Sequence, residues 1–162
     1  MQILLSVLLA FLVCSFLEYW IHRLMHHWSW FGRITKHQKH HSHNTGAGVF
    51  VELGNYCAIV PFVTIPAFLV APAMGIGVLV GSLLYVAFAA YAHQLQHDNP
   101  TKCFWLKMPL HYVHHGQNQW HYNYGLVIDW WDYVFGTYKP ADWLTPELSN
   151  QPHRHYWQLK WR

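Results

Sequence analysis

Ten histidines of the 162-residue chain fall into four short boxes. They are H-R-L-M-H (His22, His26), H-Q-K-H-H (His37, His40, His41), H-Q-L-Q-H (His93, His97) and H-Y-V-H-H (His111, His114, His115). Imidazole is the commonest protein metal ligand and binds as the neutral base. On a helix, residues three or four apart share a face, so His22 points with His26 and His93 with His97. In each H-x-x-H-H box the first ring shares a face with both later ones, so a box can bind one metal with two rings and reach a second with the third. Ten rings exceed the needs of one ion and imply a two-metal centre with about five ligands each, a number that suits iron better than a closed tetrahedral zinc site. Zinc is nevertheless expected to displace ferrous iron in purified protein, because it lies higher in the affinity order.

The elements that must position these rings are membrane helices. The chain is 53% hydrophobic and only 10% charged, where a soluble domain averages about 25% charged. Residues 1–21 are apolar apart from Glu18 and are long enough to span a bilayer as a retained helix. A cleaved signal peptide is disfavoured, because the segment has no basic start and runs straight into the first box. Residues 56–92 carry no charge and would extend about 55 Å as one helix, too long for a single crossing. Pro72 and the run Met74-Gly75-Ile76-Gly77 predict a break, with Pro61 and Pro66 kinking the first leg. The expected fold is therefore all-α and single-domain over 1–162, with about three transmembrane helices: 1–21, then a hairpin of 55–71 and 75–92. A metal-binding cap follows over 93–138 and a surface tail over 139–162. All ten Lys and Arg lie in segments that carry or follow the boxes, so the positive-inside rule puts every box on the cytoplasmic side, of a bacterial inner membrane or the endoplasmic reticulum. The tryptophans of the cap and tail suit headgroup level.

The formal charge of +3 lies in patches without a basic stripe, which excludes a nucleic-acid partner. Cys14, Cys57 and Cys103 are widely spaced and imply neither a disulfide framework nor a cysteine zinc site. Four residues stand beside the boxes as alternative ligands or ligand-supporting groups: His27, Glu18, His43 and His121. Glu18, four residues before His22, is placed to take that ring's second nitrogen. Asp98, Asp129 and Asp132 read as caps or surface charges, and His153 and His155 as solvated. Of His26 and His27, helical geometry favours His26, since a residue five on lies about 140° around the helix.

The run E-Y-W-I-H-R-L-M-H-H, then K-H-Q-K-H-H-S, H-Q-L-Q-H and H-Y-V-H-H, resembles the fatty acid hydroxylase and sterol desaturase superfamily. N-Y-G (Asn123 to Gly125) and W-D-Y-V-F-G-T-Y (Trp131 to Tyr138) resemble its C-terminal signature, so the likeness covers roughly residues 18–138. It implies an integral membrane di-iron enzyme that uses O2 on lipids, with the ten box histidines as metal ligands. The expected reaction is hydroxylation of a fatty acyl chain, sterol or carotenoid, with desaturation as the alternative outcome on the same centre. Electrons are expected from a separate donor (a cytochrome, ferredoxin or reductase); basic residues such as Arg33, Lys36, Lys39, Lys102 and Lys107 suit an acidic donor and anionic lipid headgroups equally. Two other classes compete. A membrane zinc hydrolase would want a positioned carboxylate base, and no H-E-x-x-H is present. A metal carrier would place its ligands near the membrane midplane rather than at helix ends.

Overall fold

The computed structural model describes residues 1–151 and 154–162, and among them every regular element is a helix. The order is α1 (Gln2–His27), α2 (Ser29–Ile34), α3 (His37–His43), α4 (Val49–Cys57), α5 (Val60–Val70), α6 (Pro72–Asp98), α7 (Leu110–Gly116), α8 (Trp130–Val134) and α9 (Pro146–Ser149), with a 3-10 turn at Pro100–Lys102. His153 lies outside the described residues. Two helices, α1 and α6, are long and apolar enough to cross a membrane, and α4 with α5 makes a third crossing if the bent pair is one span.

Close approach of α1 and α6 organises the spans. They run parallel, with Gly77 against Ile3 and Ser6, and Gly81 against Val7 and Ala10. A Cβ on Gly81 would lie 2.5 Å from the Val7 carbonyl oxygen and 2.8 Å from the Ala10 Cβ. In lipid no hydrophobic force drives helices together, so small residues four apart let backbones meet and gain dispersion contact. Gly81→Leu is therefore expected to separate α1 from α6 and destabilise the fold by about 1–3 kcal/mol, read as a lower denaturation midpoint in detergent.

The hairpin differs in detail from its sequence reading. The only interruption between the legs is Ala71, extended at φ −161° and ψ 139°; the residue before a proline is driven out of the helical region. Pro72 then begins α6 as its first residue, where its missing N–H costs nothing. The Met74–Gly77 run does not break the helix. Gly75 and Gly77 stay inside α6 because a side chain there would strike Phe68 and Ile3 respectively. The first leg starts earlier, at Val49, and bends by 42° between Cys57 and Val60. Pro61 explains the bend, since its ring excludes the carbonyl four residues back.

At 1.5 Å per residue, α1 and α6 are each about 40 Å long, longer than the roughly 30 Å hydrocarbon layer. Their C-terminal turns carry His22, His26, His93 and His97. The end of the surface tail docks on the spans through Val49 N–H to Lys160 O (3.0 Å) and Phe50 N–H to Trp161 O (3.1 Å). Lys160 N–H also donates to Asp98 Oδ2 at 2.7 Å.

Candidate metal centre

Nine of the ten box histidines meet in two groups that could each hold a metal ion. The first joins His22 and His26 of α1, His37 and His41 of α3, and His114 of α7. The second joins His40 of α3, His93 and His97 of α6, and His111 of α7. Within each group one nitrogen from every ring lies within 4.8 Å of the others. His37 and His41, four apart on α3, point to one group, and His40 points to the other. On α7, His111 and His114 likewise separate. The two H-x-x-H-H boxes therefore stitch the groups side by side, with the His40 and His41 ring centroids 6.1 Å apart.

His115 belongs to neither group. Its ring stacks on His41 at 3.9 Å and lies 4.5 Å from both His40 and His111, and both its nitrogens are buried without a partner. The alternative ligands lie apart. His27 gives its Nδ1 to the Arg23 carbonyl and His43 to the Lys39 carbonyl, each four residues back on its own helix and exposed. His121 is exposed, with its ring 5.4 Å from His27.

The hydrogen-bond chemistry of the rings fits metal ions. His22 Nδ1 meets Tyr124 O at 2.6 Å, His114 Nδ1 meets Tyr122 O at 2.7 Å and His40 Nδ1 meets Thr45 O at 3.2 Å. A carbonyl only accepts, so the neutral ring's single proton is on Nδ1 and its Nε2 presents a lone pair. His22 and His114 aim those lone pairs at His26 Nε2, 3.3 and 2.9 Å away. His26 Nε2 is also 2.8 Å from His37 Nε2, which is 3.1 Å from His41 Nε2. In the second group His40 Nε2 is 3.2 Å from both His93 and His97 Nε2. One ring proton cannot satisfy several converging lone pairs; a central cation satisfies all of them.

Burial keeps the rings in the ligating, neutral form. It holds His41 and His114 down at about 3, assisted by repulsion from neighbouring rings, chiefly His22 for His41 and His41 for His114. His37, His40, His111 and His115 are lowered for the same first reason. An unfolded chain, with ordinary histidines near 6.5, binds more protons than the folded one between about pH 3 and 6.5. Stability of the metal-free protein is therefore full above about pH 6.5 and falls as the pH drops through that window. A denaturation series from pH 8 to 4 on chelated protein checks this; a midpoint that rises on acidification contradicts it.

Backbone and acidic groups that the box spacing did not mark fix the rings. Asp132, wholly buried, is not a cap or surface charge. Its two oxygens accept from Tyr124 N (2.9 Å), Gly125 N (2.7 Å) and Thr137 Oγ1 (2.7 Å). It thereby holds the loop whose Tyr124 carbonyl orients His22. Asn123, left-handed at φ 58°, locks the same loop by accepting from Lys139 N (2.9 Å) and donating to Lys139 O (2.8 Å) and to Gln119. Glu18 does not orient His22, whose Nδ1 is taken by the Tyr124 carbonyl. It accepts from the Tyr85 hydroxyl (2.7 Å) and Leu126 N (3.1 Å), tying α1, α6 and the loop together. Glu52 was unmarked: its Oε1 accepts from Ala47 N (3.1 Å) and lies 3.4 Å from Nδ1 of the His93 ring without a hydrogen bond to it. Its signal in the sequence was isolation, as the only acid between Glu18 and Asp98. Asp98 accepts from Gln94 Nε2 at 2.8 Å, and Asp129 precedes α8 without capping it.

The family model for fatty acid hydroxylase matches residues 7–137. The chain belongs to the fatty acid hydroxylase family. Its relatives include the very-long-chain aldehyde decarbonylase GL1-7 of Oryza sativa subsp. japonica, 24% identical over 83% of this chain. A putative methylsterol monooxygenase of Dictyostelium discoideum is 27% identical over 82%. Protein CER1-like 1 of Arabidopsis thaliana is 29% identical over 83%. The alignments span 50% of the Dictyostelium protein and 23% of each plant protein. No solved structure matches the chain significantly. The chain thus spans half or less of the length of these curated relatives, and its long apolar helices fit a membrane protein.

Proposed function

We propose that the protein is a membrane-bound, O2-dependent di-iron oxygenase that hydroxylates a C–H bond of a lipid. The observation that carries this reading is the pair of adjoining all-histidine groups, built on shared helices that include the C-terminal ends of the two long apolar ones. The relatives named a methylsterol monooxygenase and an aldehyde decarbonylase are consistent with lipid chemistry. His22, His26, His37, His41 and His114 would hold one ion, and His40, His93, His97 and His111 the other, with His115 beside the second. When bound, two irons supply the redox capacity to activate O2 against an unactivated C–H bond.

The chain's own residues supply the rest. The Tyr122, Tyr124 and Thr45 carbonyls fix three ring tautomers. Trp120 packs against His26 and His41, with centroids at 4.3 and 5.0 Å, and shields the first group from water. The ends of α1 and α6 present the centre at the membrane surface, where an apolar substrate can arrive laterally from the bilayer and stay out of water. Arg33, Lys36 and Lys39, in and around α2 and α3, form the surface on which an acidic electron donor would dock, on the cytoplasmic side if the positive-inside rule holds.

Incubation of iron-loaded protein with reductant, 18O2 and a panel of fatty acyl, sterol and carotenoid lipids tests the proposal. One 18O atom in a hydroxylated lipid is expected. A product with a new double bond and no label would assign desaturation instead. Reductant-independent hydrolysis of a lipid ester, supported by zinc, would overturn the oxygenase reading.

A further inference from the structure

An apolar groove of about 650 Å3 runs between α4, α6 and the docked C-terminal strand of chain, and no box histidine lines it. Its wall on α6 is Ala87, Phe88 and Tyr91. At 100° per residue Phe88 and Tyr91 lie about 120–180° around that helix from His93 and His97, so the groove and the histidine groups occupy different faces of α6.

Its size falls in the range of sites for small organic ligands. Its polar end is aromatic and basic. Trp157 is 70% exposed and Phe104 76%, and Trp157 stacks with Trp161 at 6.3 Å. Lys102 Nζ lies 5.5 Å from the ring centre of Tyr156, which lines the groove. From residue 148 to the last residue the sequence has three cations, Arg154, Lys160 and Arg162, and no acid. Asp98, the acid against this segment, is engaged by Lys160 N–H and Gln94. Exposed tryptophan with basic residues at the end of membrane spans marks headgroup level, where cations attract anionic lipid.

We propose that this groove binds an acyl chain of an anionic membrane phospholipid, its phosphate drawn by the cations that flank the groove, Lys102 beside Tyr156 and Arg162 beside Gly48 at the start of α4. The lipid is a bound structural partner, distinct from any lipid that reaches the metal centre. It would brace the C-terminal segment against α4, whose Val49 and Phe50 N–H groups hold its end through the backbone.

The test uses the full chain in non-ionic detergent, mixed with equal phosphatidylglycerol and phosphatidylcholine of the same chain length, with retained lipid counted by native mass spectrometry. Wild type is expected to retain phosphatidylglycerol preferentially. Lys102→Gln with Arg162→Gln, both outside the core, should cut that preference roughly tenfold or more. Trp157→Ala should reduce retention of both lipids. His26→Ala, which alters the metal centre alone, should leave the preference unchanged. Equal retention of the two lipids by wild type, a preference that survives the double charge variant, or its loss in His26→Ala would each overturn the proposal, the last by placing the lipid at the metal centre.

Discussion

Substitution of His26 by alanine is expected to abolish metal binding at the first histidine group and to lower product formation by at least about 100-fold, since loss of a mere ligand-supporting partner already costs about 10–100-fold. His26 is the hub of its group. Its Nε2 is 3.3, 2.8 and 2.9 Å from the corresponding nitrogens of His22, His37 and His114. Removal leaves those rings without a common focus and the second group, to which His26 contributes nothing, intact. The chelated variant should fold at least as well as chelated wild type, because one ring of a crowded, metal-free cluster is gone. The difference appears when metal is added: wild type gains stability by mass action, about 2.7 kcal/mol at 100 times the dissociation constant, and the variant gains less. Thermal midpoints with and without metal, beside metal counts, measure it. An unchanged metal count in His26→Ala would show that the group does not act as one site.

Replacement of Asp132 by alanine is expected to be the most damaging change outside the histidines. Three buried donors, Tyr124 N, Gly125 N and Thr137 Oγ1, lose their acceptor. Each unsatisfied buried donor costs about 1–3 kcal/mol, so a loss of roughly 3–5 kcal/mol is expected after local relaxation. The damage also reaches the metal centre, because the loop freed is the one whose Tyr124 carbonyl sets the His22 tautomer. Tyr19 senses the same network, its hydroxyl lying 2.9 Å from Thr137 Oγ1. Asp132→Asn, which keeps one acceptor oxygen, should fall between wild type and alanine in both stability and metal affinity. Equal loss of stability with metal affinity untouched would show that the loop does not position His22.

The centre was legible in the sequence to the extent that it is written in side chains at helical spacing. The boxes, their placement at the ends of apolar segments and the preference for His26 over His27 all follow from periodicity. The parts that were not legible depend on the backbone or on tertiary contact. No residue type announces that Tyr122, Tyr124 and Thr45 will offer carbonyls to rings, since every residue has one. Glu18 was read through its nearest ligand in sequence, yet α6 brought Tyr85 to it across the bundle. Asp132 looked like a helix cap because only the folded loop shows how many donors it serves. The glycines of the Met74–Gly77 run read as a break, whereas helix packing requires them inside α6. The C-terminal segment read only as a surface tail, and the two backbone hydrogen bonds that its end makes to α4 carry no compositional mark.

The most direct measurement is the iron content and Mössbauer spectrum of wild-type protein purified anaerobically from iron-supplemented cells. Two irons per chain, one for each histidine group, with the magnetic coupling of neighbouring ions, are expected. Well-folded protein that binds no metal under these conditions, or a single uncoupled iron, would contradict a two-ion centre and return the second group of histidines to a structural role.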